Sequence, residues 1–348
     1  MRILQIITLS ELGGAQSVVI NLANMLSLEH EVIVAAGEGD GKMWGLLNGK
    51  VKQYQCKYLK RKISLLDICA AFELRRLYKK TKPDIIHLHS SKAGLLGRIA
   101  LPSSKIVYTV HGFDSIRVAH RKFLPLEKLL QNRCGAIVGV SNYDERNLLA
   151  ERITQKVSTV YNGIDVPLSL PKDPFKEFDD SRKKVLCIAR LSAPKNHKLF
   201  IDVASKMPQY DFIWIGNQTI PDFNYPSNAY FLGSIPSAGS YIRYADLLML
   251  PSNYEGLPMV IIEAMSLGKP IVASNVGGVS EIVRNGENGY ALDNDSELFV
   301  QKIEYILQDQ QLYDVFSKQS LKIYREELTI GKMMSEYLKV YNSVINKS

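Results

Sequence analysis

The chain has 348 residues, enough for two domains at roughly 150 residues each, and its 46% hydrophobic content excludes a disordered or fibrous polymer. The four cysteines, Cys56, Cys69, Cys134 and Cys187, show no CxxC spacing and no neighbouring histidine cluster, which argues against a zinc site or a disulfide framework and for a reducing cytoplasm. The net charge of +8 is uneven: residues 1–170 carry 24 Lys and Arg against 14 Asp and Glu, residues 171–348 carry 19 against 21, so the first half is expected to meet an acidic partner.

In chain order, "MRILQIITLSELGGAQ" opens with a strand over 2–7 and a glycine turn. Gln5 interrupts the apolar run and Glu11 ends it, so a signal peptide is not expected. A helix follows over 15–28, with Val18, Leu22 and Met25 on one face, then strands over 30–36, 84–90, 105–112 and 136–141, each with a turn and a helical segment after it. Three basic clusters, 57–62, 75–82 and 117–122, carry interleaved aromatics at Tyr58, Tyr78 and Phe123. They read either as solvated helix faces or as contacts to an anionic membrane surface or a phosphate-bearing acceptor. No recognition motif points to nucleic acid.

Residues 161–180, rich in Pro and Asp and without periodicity, read as the link between domains. The rhythm restarts with strands over 183–190, 210–216, 229–234, 245–252 and 269–274, and the remainder reads as helices ending near Val344. No run approaches the roughly 20 apolar residues of a membrane span. The predicted fold class is α/β, two doubly wound parallel-sheet domains. The expected division is a first domain over 1–165, a second over 166–325, and a helical segment over 326–348 packing back toward the first. Ligands of such sheets bind beyond the carboxyl ends of the strands, so a cleft between the domains is the natural site.

The most informative stretch is "PSNYEGLPMVIIEAMSLGKPIVAS", 251–274. A loop holds Glu255, Pro258 suits a helix start, and Gly268 suits its stop. The first amides, near Met259 and Val260, have no intrahelical partners and make a phosphate site. Glu263 lies inside a nearly apolar, hence buried, helix, where a carboxylate needs cationic or hydroxyl partners; a ribose diol would serve.

The pair Glu255-x7-Glu263 in this setting resembles the retaining glycosyltransferases of family 4, of the bacterial capsule, exopolysaccharide and lipopolysaccharide type. The motifs "ELGGAQ" (11–16), "HLHSSKAGLLGR" (87–98), "TVHGF" (109–113), "VSN" (140–142), "YNGID" (161–165) and "ARLSAPKN" (189–196) fall in that family's order. The resemblance implies the GT-B fold, two Rossmann-like domains facing across a cleft. It implies donor-binding roles for Gly13, Gly14, Arg190, Lys195, Glu255, Leu257, Pro258, Met259, Val260 and Glu263. Arg190 and Lys195 would grip the diphosphate, Glu263 the ribose, and Glu255 the hydroxyls of the donor sugar. His111 and Glu255 are the residues implied at the reacting centre. His89, Ser90, Arg117, Arg121 and Lys122 are assigned to the acceptor or membrane side.

His87 and His89 are expected to face opposite sides of their strand, His89 reaching the cleft and His87 packed. The sequence alone gives no role for Asp114 or Asp144. "DND" (293–295) reads as a turn and helix cap rather than a metal motif. One departure is the run "GNQ" after "WI", where the family often has a second glycine.

The implied reaction moves a sugar from a nucleotide-diphosphate donor, expected to be a UDP-sugar, to a hydroxyl of a lipid-linked or polysaccharide acceptor, with no metal or other cofactor. The implied location is the cytoplasm, peripheral on the inner face of the cell membrane. Three other readings stand beside it: a glycan hydrolase using the two glutamates, a nucleotide-sugar epimerase, and a non-catalytic nucleotide-sugar-binding module.

Overall fold

The structure is a computed structural model that describes residues 1–167, 172, 173, 175, 178, 181–219 and 221–346. Parts of the predicted link 161–180 (168–171, 174, 176, 177, 179 and 180) lie outside them. The chain divides into two compact units: Met1–Gly163 with the chain from Ile330 onward, and Ile164–Thr329.

Unit 1 is built on strands β1 (Arg2–Ile7), β2 (Glu31–Ala36), β3 (Lys52–Gln55), β4 (Ile85–His89), β5 (Ile106–Val110), β6 (Ala136–Gly139) and β7 (Val157–Thr159). They form one sheet in the order β3-β2-β1-β4-β5-β6-β7, every pair parallel. Between them run α1 (Gly14–Leu26), α2 (Leu66–Thr81), α3 (Ser91–Ala100), α4 (Asp114–Arg117), α5 (Leu124–Leu130) and α6 (Asn142–Ala150). The inner strands are nearly continuous apolar runs because both faces are covered. The edge strands β3 and β7 escape the sequence pattern for the opposite reason. "KQYQ" is short and largely exposed and "VST" short and only half-buried, as edges tend to be.

Unit 2 repeats the plan with β8 (Lys184–Ile188), β9 (Asp211–Ile215), β10 (Ala229–Phe231), β11 (Leu247–Leu250), β12 (Ile271–Ser274) and β13 (Gly289–Leu292), in the order β10-β9-β8-β11-β12-β13. β13, a four-residue edge opened by glycine, also lacks a sequence signal. Its helices are α7 (His197–Lys206), α8 (Met259–Ser266), α9 (Val279–Ile282), α10 (Ser296–Gln308) and α11 (Gln310–Glu327). Asp295 caps α10, accepting from the amides of Glu297 and Leu298. The strand order reverses beside β1 and beside β8, so the loops after β1, β4, β8 and β11 flank the two switch points where such sheets bind ligands.

The helix α12 (Ile330–Ile345) belongs to unit 1. Its Tyr337 and Tyr341 are fully buried, and the Tyr341 hydroxyl lies 2.7 Å from Nδ1 of His87 on β4. Opposite ends of unit 1's own sequence thus meet in one core.

The "AGLLGR" turns of α3 are a packing device. An added Cβ on Gly94 would stand 2.3 Å from the Tyr108 ring. Arg98, fully buried, lies over that same ring at 4.4 Å and donates to Glu127 at 2.6 Å. Gly94→Ala gains about 1 kcal/mol of helix propensity but overpacks a closed core, which costs about 1–3 kcal/mol. The expected net result is a lower Tm in a thermal melt, with the cooperative transition retained.

Candidate active site

Unit 2 brings the sequence-predicted charges together at two neighbouring strand ends. After β8 come exposed Arg190 and a 3-10 turn, Ala193–Lys195. After β11 comes the loop with Ser252, Asn253 and Glu255. Asn253 stitches the two loops, its amide donating to Pro194 O at 2.7 Å and its side chain to Ala193 O at 2.9 Å. The ammonium of Lys195 then forms an ion pair with Glu255 Oε1, and the Ser252 hydroxyl donates to the same oxygen at 2.7 Å. Ser252 and Asn253 carry no motif of their own; only their spacing from Glu255 hints at the role.

The backbone of Glu255 is held from a third side. Gly277 has φ +60°, and an added Cβ would stand 2.1 Å from the Glu255 carbonyl oxygen. Gly278 N donates to Gly256 O at 2.8 Å. The "NVGG" turn therefore rests directly on the Glu255 loop, an approach only glycine permits.

Leu257 is buried, Pro258 occupies the N-cap position, and α8 begins at Met259, one residue later than the predicted start. The opening amides of α8 are those of Met259 and Val260, which have no intrahelical acceptor. One turn further, the half-buried carboxyl of Glu263 packs on Gly239, whose added Cβ would lie 2.6 Å from Oε2. Burial pushes this carboxyl up to about 7. Gln218 stands where the family often has a second glycine; beside it, buried Asn217 accepts from Gly233 N at 2.9 Å and donates to Thr219 O at 3.2 Å, closing the loop after β9 through its side chain.

In unit 1 the structure corrects one expectation. Residues two apart on a strand share a face, and His87 and His89 do: their ring centroids are 3.9 Å apart. Both are fully buried, so His89 does not project into solvent. Its Nδ1 lies 3.0 Å from Nε2 of His111, half-buried just beyond β5. His87 is bound at Nδ1 by Tyr341 and at Nε2 by Thr109 Oγ1, 2.7 Å each, and Thr109 lies 3.1 Å from the Tyr337 hydroxyl. Burial lowers the pKa of all three histidines, His111 to about 4.

Ser90 is engaged by Thr8, hydroxyl to hydroxyl at 2.7 Å. Gly13 and Gly14 form the entry to α1 after β1. Asp144, buried at the start of α6, accepts from Phe113 N at 2.7 Å and so fixes the "HGF" loop. Asp114 accepts from Arg117 and from the Tyr143 hydroxyl, both at 2.8 Å. Arg121 pairs with Glu151 at 3.0 Å, while Lys122 is exposed beside the Phe123 ring. Two of the three cations assigned to the acceptor or membrane side are thus offset by acids.

The Glyco_transf_4 family model (Glycosyltransferase Family 4) matches residues 12–167 and the Glycos_transf_1 model (Glycosyl transferases group 1) matches residues 171–322. The chain is 27% identical to the UDP-Gal:alpha-D-GlcNAc-diphosphoundecaprenol alpha-1,3-galactosyltransferase of Escherichia coli, over 97% of this chain and 95% of the relative. It is 29% identical to the O-antigen biosynthesis glycosyltransferase WbnH of Escherichia coli, over 98% of each. Among solved structures it resembles Anabaena Alr3699/HepE in complex with UDP-glucose, with TM-score 0.83, 22% identity, and 99% and 100% of the two chains covered.

The raised pKa of Glu263 has a sign that can be checked. Its folded value of about 7 lies above the ordinary 4.5, so the native state keeps a proton that the unfolded chain releases. Its contribution to stability falls as pH rises from 4.5 through about 7. Glu263→Gln is expected to leave Tm unchanged at pH 4 and to raise it at pH 8 by roughly 2–4 °C per kcal/mol relieved, read by calorimetry in the absence of nucleotide.

Proposed function

Because this chain belongs to family 4 of the glycosyltransferases and has their GT-B fold, we propose that it transfers a sugar from a UDP-sugar to a hydroxyl of a lipid-linked glycan in bacterial surface polysaccharide assembly, retaining the anomeric configuration. The observation that carries this reading is the convergence of Lys195, Glu255 and the first amides of α8, with Glu263 one turn behind them. A cation and helix amides suit a diphosphate, and an acceptor carboxylate suits sugar hydroxyls. A half-buried carboxyl that packs on a glycine suits a ribose diol. The UDP and the lipid diphosphate acceptor are supported by the names of the relative and neighbour above.

In the proposed reaction the acceptor oxygen bonds to the anomeric carbon while the bond from that carbon to the diphosphate oxygen breaks. The acceptor's proton passes to the departing phosphate oxygen, on the same face. Lys195, Arg190 and the amides of Met259 and Val260 stabilise the charge that develops on the diphosphate, and no metal or other cofactor is invoked. Binding of the donor exchanges the Lys195–Glu255 ion pair for contacts to phosphate and sugar. Leu257 and Pro258 shape the turn that aims the α8 amides, and Gly13 and Gly14 admit the substrate close to the backbone. His111 contacts the transferred sugar.

Among the described residues no helix is long and apolar enough to cross a membrane, and we read the enzyme as cytoplasmic and peripheral on the inner leaflet. The face that supports this lies before and along α2. Ile63, Leu65, Ile68 and Phe72 are 68%, 85%, 60% and 65% exposed, beside exposed Lys57, Lys60 and Lys62. Apolar side chains enter the headgroup region while each cation contributes about 1 kcal/mol at an anionic surface. This face, rather than the ion-paired Arg117 and Arg121, is the membrane contact.

A panel of nucleotide sugars, with and without a lipid-linked acceptor extract, tests the reaction. The expected outcome is release of UDP from one donor only when acceptor is present, with loss of about 10²–10³ in kcat for Lys195→Ala and no turnover for Glu255→Ala. Free sugar formed equally fast without acceptor would identify a hydrolase instead. Sedimentation with anionic vesicles tests the membrane face. Binding is expected to weaken with salt and to drop about tenfold or more in Leu65→Glu/Phe72→Glu, while Arg121→Ala binds as the parent does.

A further inference from the structure

The three histidines of unit 1 form a row in which every ring nitrogen but two has a named neighbour, and that arrangement decides where the protons are. His87 is satisfied at both nitrogens by Tyr341 and Thr109, so it has nothing to offer His89. The contact between His89 Nδ1 and His111 Nε2, 3.0 Å, holds one proton, which belongs to one ring or the other. Burial disfavours the charged form of both rings, so each carries a single proton near neutrality.

Two arrangements satisfy this. If His111 donates, His89 must carry its own proton on Nε2. That atom is fully buried and meets no hydrogen-bonding group among the described residues. The Gln5 amide, on β1 opposite His87, does not bond to it either. A buried N–H without an acceptor is the rarest and most costly kind of orphan. If His89 donates instead, only a bare lone pair is left at Nε2, and the stranded donor disappears.

We propose that His89 is the positioning residue for His111, donating its Nδ1 proton to Nε2 of His111 and so fixing His111 as the tautomer whose only ring proton is on Nδ1. His111 then meets a ligand as a hydrogen-bond donor and does not act as a base. The ring of His89 is held for this by the His87 ring, which Tyr341, Thr109 and, through Thr109, Tyr337 lock in place. The consequence for the reaction rests on the reading in which His111 contacts the transferred sugar. A neutral donor there steadies a sugar hydroxyl and leaves proton transfer to the departing phosphate.

The tautomer is read directly by long-range 1H–15N correlation on the full-length protein labelled with 15N-histidine at neutral pH, with His111→Gln and His89→Asn used to assign the signals. The expected spectrum shows His111 protonated at Nδ1 and bare at Nε2. Protonation of His111 at Nε2 with a bare Nδ1 overturns the proposal, whatever the enzyme's substrate. In turnover assays, His89→Leu is expected to lower kcat about tenfold to a hundredfold with KM for the donor little changed. His89→Asn, whose amide N–H stands where Nδ1–H stood, is expected to recover most of that loss. Equal losses in two variants that melt like the parent would also overturn it. Absence of turnover in the parent protein would count against the transferase reading alone, because the spectrum still decides the tautomer.

Discussion

Two tyrosine hydroxyls on α12 reach the middle of the first sheet, and much of unit 1 is arranged around that reach. His87 and Thr109 sit on neighbouring buried strands, where an unsatisfied polar group costs about 1–3 kcal/mol. Tyr341 and Tyr337 supply what they lack. Once His87 is held at both nitrogens it becomes a fixed wall for His89, and His89 in turn fixes His111. A sheet of the same topology with an apolar residue at 87 would pack as well, but it would not tell the next histidine which way to turn.

Unit 2 solves a different problem, that of holding opposite charges together at two neighbouring strand ends. Lys195 is partly buried and would be costly alone; Glu255 neutralises it, and Ser252 shares the same carboxylate oxygen. The loop carrying Glu255 is pinned by the close approach of Gly277, so its position does not depend on the ion pair alone. Among the described residues Glu263 has no such cation, and burial raises its pKa to about 7 so that it keeps a proton near neutrality. The two glutamates thus meet burial in different ways, Glu255 by an ion pair and Glu263 by a proton.

The strands and helices that carry these residues were legible because buried parallel strands are apolar runs and the loops after them hold polar residues in fixed order. Glu255 and Glu263 stand out in sequence because charges in apolar surroundings need partners, whereas Lys195 was legible only through the motif "ARLSAPKN". The edge strands β3, β7 and β13 were not legible, since four or fewer residues paired on one side leave no period to detect. The role of Tyr337 and Tyr341 was hidden for another reason: their partners are more than 200 residues away, and no local pattern encodes that distance. His89 was misread by a parity error, and the shared face follows from strand geometry alone. Asp144 shows the same limit as the tyrosines, since its bond to Phe113 N links α6 to the loop after β5.

The placement of α12 also orders events in time. Unit 1 needs residues that follow all of unit 2 in the chain, and a ribosome adding roughly 5–20 residues per second delivers them on the order of ten to forty seconds after Gly163. Through that interval the face of α1 and the strand ends near Gly135, which α12 and its Val344 later cover, stay uncovered. The inserted unit, whose two ends are joined by the bridge Ile164–Thr329, can close independently in the meantime. The nascent chain therefore passes through a state with one finished half and one sticky half, the state in which a chaperone would find something to hold.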